Sequence, residues 1–165
     1  MFSVDDYVVC GNKGVCRVTQ VATLNLSGAD SGSEEYYILK PVYSPGSTVY
    51  VPTQTGDEGL RAVLSREEAG RLLEEIAGIP ELEIANEKTL EQEYKVCMRS
   101  NDARDLVRLI KTISHRKARR EKAGRKETAL DAKYLRMAGD HLYGELSVSL
   151  EMSREDVARL FSKCD

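Results

Sequence analysis

Hydrophobic and polar residues alternate through the first part of the chain, which is the period-two pattern of β-strands. The clearest stretch covers residues 15–26, where we predict that these side chains face a core: Cys16, Val18, Gln20, Ala22, Leu24 and Leu26. Further strands are predicted at residues 7–10, 35–42, 48–51 and 60–64. Turn residues separate them, among them residues 27–32 and Pro45-Gly46. Several short strands with regularly spaced turns favour a small β-barrel.

At Ser65 the pattern changes to the spacing of an amphipathic helix. Ser65 and Glu68 form a capping-box sequence, in which each side chain accepts from the other residue's backbone N–H. This signature predicts a helix that runs to about Ile76. The Gly78-Ile79-Pro80 sequence ends it.

The remaining chain has helical periodicity throughout. Residues suited to helix N-caps occur at Asn86, Asp102, Thr128 and Ser153. The longest helix is predicted from residue 103 to about 123, ended by Gly124, with this apolar stripe: Leu106, Leu109, Ile110 and Ile113. We therefore predict an α+β protein of two domains, a strand-rich domain with a short terminal helix at 1–80 and an all-α helical bundle at 81–165.

Charge divides the chain in a similar way. Residues 1–85 contain six Lys or Arg against thirteen Asp or Glu, whereas the rest contains eighteen against fourteen. Residues 103–136 alone contain twelve basic and four acidic side chains. Such asymmetry suggests that the second half meets a polyanion, and the commonest polyanion inside a cell is nucleic acid.

A basic run in the longest predicted helix and the segment after it is the sharpest local signal. Its candidate DNA contacts are Lys111, Arg116, Lys117, Arg119, Arg120, Lys122, Arg125 and Lys126. Only Glu121 interrupts the run, so salt bridges at i,i+4 spacing do not explain it. No recognition-helix pattern is present, which favours backbone phosphates over base edges. The alternative is a solvated helix face.

An ordered set of short motifs resembles the CarD/CdnL family of bacterial transcription regulators. In the first half they are Val8-Val9, Gly14-Val15, Val18, Tyr37-Ile38-Leu39-Lys40 and Val49-Tyr50-Val51-Pro52. The second half matches more loosely, at Ser100-Asn101-Asp102, Leu106, Leu109, Ile110, Lys111, Ala138, Leu142, Glu145 and Leu146.

This resemblance implies an SH3-like or Tudor-like barrel that docks on the β subunit of RNA polymerase, and a helical domain that touches promoter DNA near the upstream edge of the transcription bubble. A similar barrel occurs in the transcription-repair coupling factor. In the family, an edge of the barrel pairs with a strand of the polymerase. The corresponding polymerase-binding positions are Leu24, Thr48, Tyr50 and Val51.

Two departures from the family pattern modify these expectations. Some relatives carry Arg where this chain has Leu24 and Tyr50, so the resemblance implies a more apolar contact here. Many relatives place a Trp at the start of the helical domain, where it wedges against the minor groove. This chain has no Trp, and Asn86 or Glu87 stands at that place. We therefore expect DNA contact through charge.

No set of residues predicts an active site, a metal site, a cofactor or a small-molecule ligand. Four cysteines are too few and too scattered for a disulfide framework, and Cys10 and Cys16 are interpreted as small residues packed on paired strands. The first residues lack the features of a secretory signal, and no apolar run reaches membrane-spanning length. We expect a cytoplasmic protein that is not an enzyme.

Together these features predict a transcription regulator that tethers polymerase to promoter DNA and modulates open-complex stability. If about six phosphates are neutralised, isolated DNA binding should depend on salt with a log–log slope of roughly −5. The alternative is a protein-interaction module that binds polymerase or another partner through its strand domain without touching DNA. A third class, an enzyme, has no residues to support it.

Overall fold

The computed structural model describes residues 1–11, 13–25, 32–55 and 59–165. Contacts divide the chain into two compact units, Met1–Val63 and Leu64–Asp165. The first unit is a β-sheet and the second is helical, which confirms the predicted α+β class. The division lies earlier than the boundary predicted between residues 80 and 81, because the first helix shares its buried cluster with the later helices.

The first unit is a five-stranded antiparallel sheet with the order β4-β3-β2-β1-β5. Its strands are β1 Tyr7–Cys10, β2 Gly14–Leu24, β3 Glu34–Pro41, β4 Val49–Pro52 and β5 Leu60–Ala62. Its core is built by Val8, Cys16, Val18, Tyr37, Leu39 and Leu60. Within the described ranges no backbone pairing joins β4 to β5. A closed barrel needs pairing around its whole circumference, so the described sheet is open where we expected a barrel.

A register shift in β2 explains where strict alternation fails. Val18 pairs with Leu39 but Gln20 pairs with Ile38, which makes Thr19 an extra residue. Beyond this bulge Gln20 is exposed and Val21 packs against the core instead. The predicted core position at Gln20 is therefore wrong. Ala22 and Leu24, on the same face as Gln20, are only half-buried. Leu26 and residues 27–31 of the predicted turn lie outside the described residues.

The second unit has five α-helices and two short 3₁₀ turns. The helices are α1 Arg66–Glu75, α2 Leu90–Arg99, α3 Ala103–Lys122, α4 Ala129–Leu150 and α5 Arg154–Cys164, and the turns are Ile76–Gly78 and Glu87–Thr89. Side chains cap the helix starts as predicted, at Ser65, Asp102, Thr128 and Ser153. Asn86 caps the second 3₁₀ turn, through its side-chain oxygen and the N–H of Lys88.

One buried cluster joins the helices of this unit. The predicted stripe of α3 is buried, with Ile113 and Leu109 fully inaccessible. The cluster also contains Ala69, Leu72, Leu73 and Ile76 of α1 and the turn after it, together with Tyr134, Ala138, Leu142 and Leu146 of α4. Gly124 has a φ of 73°, a left-handed conformation that suits glycine and follows the end of α3 as predicted. None of the helices in the described ranges combines the length and apolar content that a membrane crossing needs.

Candidate functional site

The first candidate surface is the outer edge of β4. This strand pairs with β3 through Val49 to Leu39, Tyr50 to Ile38 and Val51 to Tyr37. Among the described strands, nothing pairs with its other side. An edge of this kind presents backbone N–H and C=O groups that a strand of a partner can pair with. Three predicted polymerase contacts lie on or beside it: Thr48, Tyr50 and Val51.

The side chains of this edge point to two faces of the sheet. Val51 packs against the core, whereas Tyr50 is 48% exposed on the opposite face. Leu24 pairs with Glu34, which lies four residues from Ile38, the partner of Tyr50. Because strand residues alternate faces, Leu24 lies on the same face as Tyr50. It lies about 13 Å further along the sheet and is separated from β4 by β3, so it belongs to the face and not to the edge.

That outer face carries an apolar patch with polar residues around it. The cross-strand pairs place on the face the apolar or aromatic residues Ala22, Leu24, Tyr36, Ile38, Tyr50 and Pro52, together with Arg17, Gln20, Glu34 and Lys40. The residues of the patch other than Tyr50 are half-buried, whereas Tyr50 and the four polar residues are exposed. An apolar patch next to an open strand edge offers a partner both side-chain contacts and backbone pairing.

In the second unit, Lys111 is a buried side chain. It is 5% exposed, and its Nζ donates hydrogen bonds of 2.7 Å to the carbonyls of Ile76 and Ile79. The ammonium group thereby satisfies carbonyls at the end of the first helical segment, and the carboxylate of Asp165 lies 3.8 Å away. The prediction that Lys111 contacts DNA is corrected, because its charge is used inside the unit.

Arg116 is held by two carboxylates. Its Nη1 and Nη2 donate to Glu87 at 2.8 and 3.3 Å, and its Nε donates to the fully buried Asp131 at 3.0 Å. Asp131 also accepts a 2.8 Å hydrogen bond from the hydroxyl of Tyr94. The hydrogen bond with Glu87 raises the pKa of Arg116, and the same bond lowers the pKa of the Glu87 carboxyl.

The other predicted DNA contacts lie at the end of α3 and in the segment after it. We call this set the α3 basic end: Lys117, Arg119, Arg120, Lys122, Arg125 and Lys126. Lys117 lies 3.8 Å from Glu127, and Arg120 donates through Nε to the carbonyl of Lys126 at 2.7 Å. The remaining four form no ion pair with any carboxylate in the described residues.

A helix C-terminus by itself favours cations, since the last backbone carbonyls carry partial negative charge. That effect is confined to the last turn of a helix. Arg125 and Lys126 lie beyond the end of α3 and are exposed. The α3 basic end therefore has more positive charge than the helix terminus accounts for.

Nucleophilic or metal chemistry finds no support in the described residues. All four cysteines are free, and burial raises the pKa of Cys16 to about 12 and that of Cys97 to about 11. These two thiols are therefore neutral at physiological pH and are poor nucleophiles. No group of three His, Cys, Asp or Glu side chains in the described ranges is placed to hold a metal ion.

The carboxylate partners of Arg116 were not predictable from sequence spacing. Glu87 is 29 positions away and lies in a different element, whereas helix pairing rules concern residues three or four apart. Asp131 lies in the first turn of α4, three residues after the cap Thr128, and its burial depends on how α2, α3 and α4 pack.

An antiparallel sheet that has an edge strand unpaired among its described strands, next to a partly exposed apolar patch, is typical of a protein-interaction domain. Residues 2–64 match the family model of the CarD-like/TRCF RID domain, an RNA polymerase-interacting domain. The matched range coincides with the first unit and supports a transcription-related role for it. Domains of this family are non-catalytic interaction domains. A search of curated proteins found no significant match to the chain.

Proposed function

We propose that this protein is a transcription regulator. Its first unit binds the β subunit of RNA polymerase, and its second unit contacts promoter DNA through backbone phosphates. The match of residues 2–64 to an RNA polymerase-interacting domain is the observation that carries this proposal. By holding both partners, the protein modulates the stability of the open promoter complex.

The polymerase contact that we propose combines strand pairing at β4 with burial of the apolar patch on the outer face. The open edge supplies backbone groups, and Tyr50 supplies an exposed aromatic ring beside them. Aromatic side chains that become buried often dominate the energetics of an interface. Leu24 on the same face would extend the apolar contact away from the edge.

The DNA contact that we propose uses the α3 basic end. Four of its side chains have no carboxylate partner among the described residues, and all four are exposed: Arg119, Lys122, Arg125 and Lys126. Cations of this kind bind phosphates by releasing condensed counterions, without reading base sequence. Weak, non-specific binding is sufficient here, because docking on polymerase would present the second unit to DNA at high effective concentration.

Modulation of the open complex then requires only unequal affinity. A protein stabilises whichever promoter state it binds more tightly, by the difference between its two binding free energies. In this proposal the α3 basic end binds the opened promoter more tightly than the closed one.

The polymerase contact is tested by capturing β subunit on the immobilised full chain. Tyr50→Asp should weaken capture about tenfold or more, because it places a charge in an apolar contact. Tyr43→Asp is the matched control, since Tyr43 is also an exposed tyrosine of the first unit but lies outside β4. Equal capture by both variants would show that the contact lies at another edge.

A second candidate function is a protein-interaction module that does not touch DNA. Lys111 favours it, because its ammonium group donates to backbone carbonyls inside the second unit. Electrophoretic mobility of a linear duplex with the full chain discriminates the two. A shift at low salt that disappears as salt rises supports the regulator, whereas no shift at any salt concentration supports the interaction module.

A further inference from the structure

Arg116 presents its outer nitrogens to an open groove. The groove has a volume of about 280 Å³ and is lined by Glu87, Arg116, Arg119 and Arg120. The three arginines follow one another at i, i+3 and i+4 on α3, the spacing that places helix side chains side by side. Three guanidinium groups around one small groove are suited to an anion with several oxygens.

The Nε side of the Arg116 guanidinium is held in place, which fixes the orientation of Nη1 and Nη2. Its Nε donates to the buried Asp131, and Tyr94 holds Asp131 from the other direction. The side chain of Arg116 is only 15% exposed. Since Nε is engaged inward, Nη1 and Nη2 are directed toward the groove as a fork, the geometry that fits carboxylate or phosphate oxygens.

In this structure the fork holds the carboxylate of Glu87. That carboxylate is 71% exposed although both of its oxygens accept from Arg116. Arg120 also contributes to lowering the pKa of Glu87, after the larger effect of the hydrogen bond with Arg116. Because its carboxylate side faces solvent, this ion pair is open to competition from other anions. Glu87 therefore occupies a place that a stronger anion can take.

We propose that Arg116, Arg119 and Arg120 form a phosphate-binding site, in which the Glu87 carboxylate is a displaceable internal competitor. A phosphate group has more oxygens than a carboxylate and accepts from several guanidinium groups at once. This site rests on the proposed function, because the phosphate that it binds is that of the DNA backbone. Replacing Glu87 by a neutral residue should then increase the affinity for DNA more than the loss of one negative charge elsewhere on the second unit does.

Two glutamates of the second unit allow a matched comparison. Glu87→Gln and Glu121→Gln in the full chain change the net charge equally. Glu121 is an exposed residue of α3 that forms no ion pair with a described residue. We expect Glu87→Gln to bind a short linear duplex up to about fivefold more tightly than Glu121→Gln, measured by fluorescence anisotropy at low salt. Equal affinities of the two variants would overturn the site while leaving the proposed function intact.

A second comparison locates the gain in the groove. Arg119→Gln in the Glu87→Gln background should remove most of the gain, because Arg119 lines the groove. Lys126→Gln in the same background is the control, since Lys126 is a cation of the α3 basic end that does not line the groove. If the gain in duplex affinity is as large with Arg119→Gln as with Lys126→Gln, the phosphate site does not lie in this groove.

Inorganic phosphate distinguishes the source of the ligand. Each variant is heated in phosphate and in chloride of equal ionic strength, and a ligand of the native state raises the melting temperature. If no variant binds duplex but phosphate raises the melting temperature of Glu87→Gln more than that of Glu121→Gln, the site stands and the proposed function fails. If neither duplex nor phosphate distinguishes the two variants, the site is excluded.

Discussion

At the scale of single residues, a basic side chain on α3 can have three different surroundings. Lys111 is buried and donates to backbone carbonyls, whereas Arg116 bridges a buried and an exposed carboxylate. Lys122 is exposed and has no ion pair among the described residues. Formal charge is the same in all three, so only the surroundings decide which residue can reach a phosphate.

Replacement of Lys111 tests its structural role. Lys111→Met keeps an unbranched side chain but removes the donor to the carbonyls of Ile76 and Ile79. We expect the free energy of unfolding to fall by about 1–3 kcal/mol, because buried acceptors lose their partner. Chemical denaturation measures this, and duplex affinity should not change.

Lys122→Met is the matched control for that experiment. Lys122 is exposed, so its replacement should change stability by less than about 0.5 kcal/mol and should weaken duplex binding. The opposite pattern, a stable Lys111→Met with weakened DNA binding, would contradict the assignment of Lys111.

His141 links stability to pH. Burial lowers the pKa of His141, and the nearby Asp140 opposes this only in part. The folded state therefore prefers the neutral ring, so this stabilisation is present above the unfolded pKa of about 6.5 and is lost as pH falls through the folded value. His141→Gln should lose less stability than the parent protein between about pH 7.5 and about pH 5. Urea denaturation at the two pH values measures this. If the free energy of unfolding falls equally in the parent protein and in His141→Gln, the prediction is wrong.

At the scale of elements, α1 belongs with the helices that follow it. Its buried residues Ala69, Leu72 and Leu73 are part of the cluster that contains the stripes of α3 and α4. The backbone N–H of Leu64 donates to the buried carboxylate of Glu145 on α4 at 2.9 Å. The sequence favoured a later boundary because Gly78 and Pro80 interrupt the helical pattern, and a break in local pattern does not reveal long-range packing.

Two fragments test this assignment. A fragment of residues 64–165 should unfold in one cooperative thermal transition, whereas a fragment of residues 81–165 should not. The shorter fragment lacks the apolar side chains of α1 and the carbonyls that accept from Lys111. Circular dichroism during heating checks this. If the shorter fragment also unfolds cooperatively, α1 is not required for the fold of the second unit, and its assignment to that unit is wrong.

The buried polar network joins α2, α3 and α4 through Tyr94, Arg116 and Asp131. Tyr94→Phe removes one hydrogen bond to the buried Asp131 and should lower the free energy of unfolding by about 1–3 kcal/mol. Tyr134→Phe is the control, because Tyr134 donates to Glu91, whose side chain is 46% exposed and can be rehydrated. A larger loss for Tyr134→Phe in chemical denaturation would contradict this account.

Strand and helix positions followed from the sequence because they depend on local signals. The capping serine at Ser65 and the glycine at Gly124 act within a few residues of themselves. The bulge at Thr19 and the burial of Lys111 did not follow, because each depends on a partner far along the chain. The same reason applies to the candidate site, in which the partner of Arg116 is Glu87.

For the molecule as a whole, the two units have different surfaces, although the charge split does not follow their boundary, because residues 64–165 contain twenty Lys or Arg and twenty Asp or Glu. The first unit offers an open strand edge and an apolar patch, and the second offers the α3 basic end. Two such surfaces suit two different partners, a protein strand and a polyanion. In our proposal the protein joins RNA polymerase to promoter DNA.

In our proposal the α3 basic end neutralises DNA phosphates, and this can be measured from the salt dependence of duplex binding. If about five phosphates are neutralised, the logarithm of the binding constant of the full chain should fall against the logarithm of salt concentration with a slope of about −4.5. Simultaneous replacement by Gln of Arg119, Lys122, Arg125 and Lys126 should reduce the slope to about −1. An unchanged slope in this variant, or no duplex binding by the parent protein at low salt, would contradict this proposal.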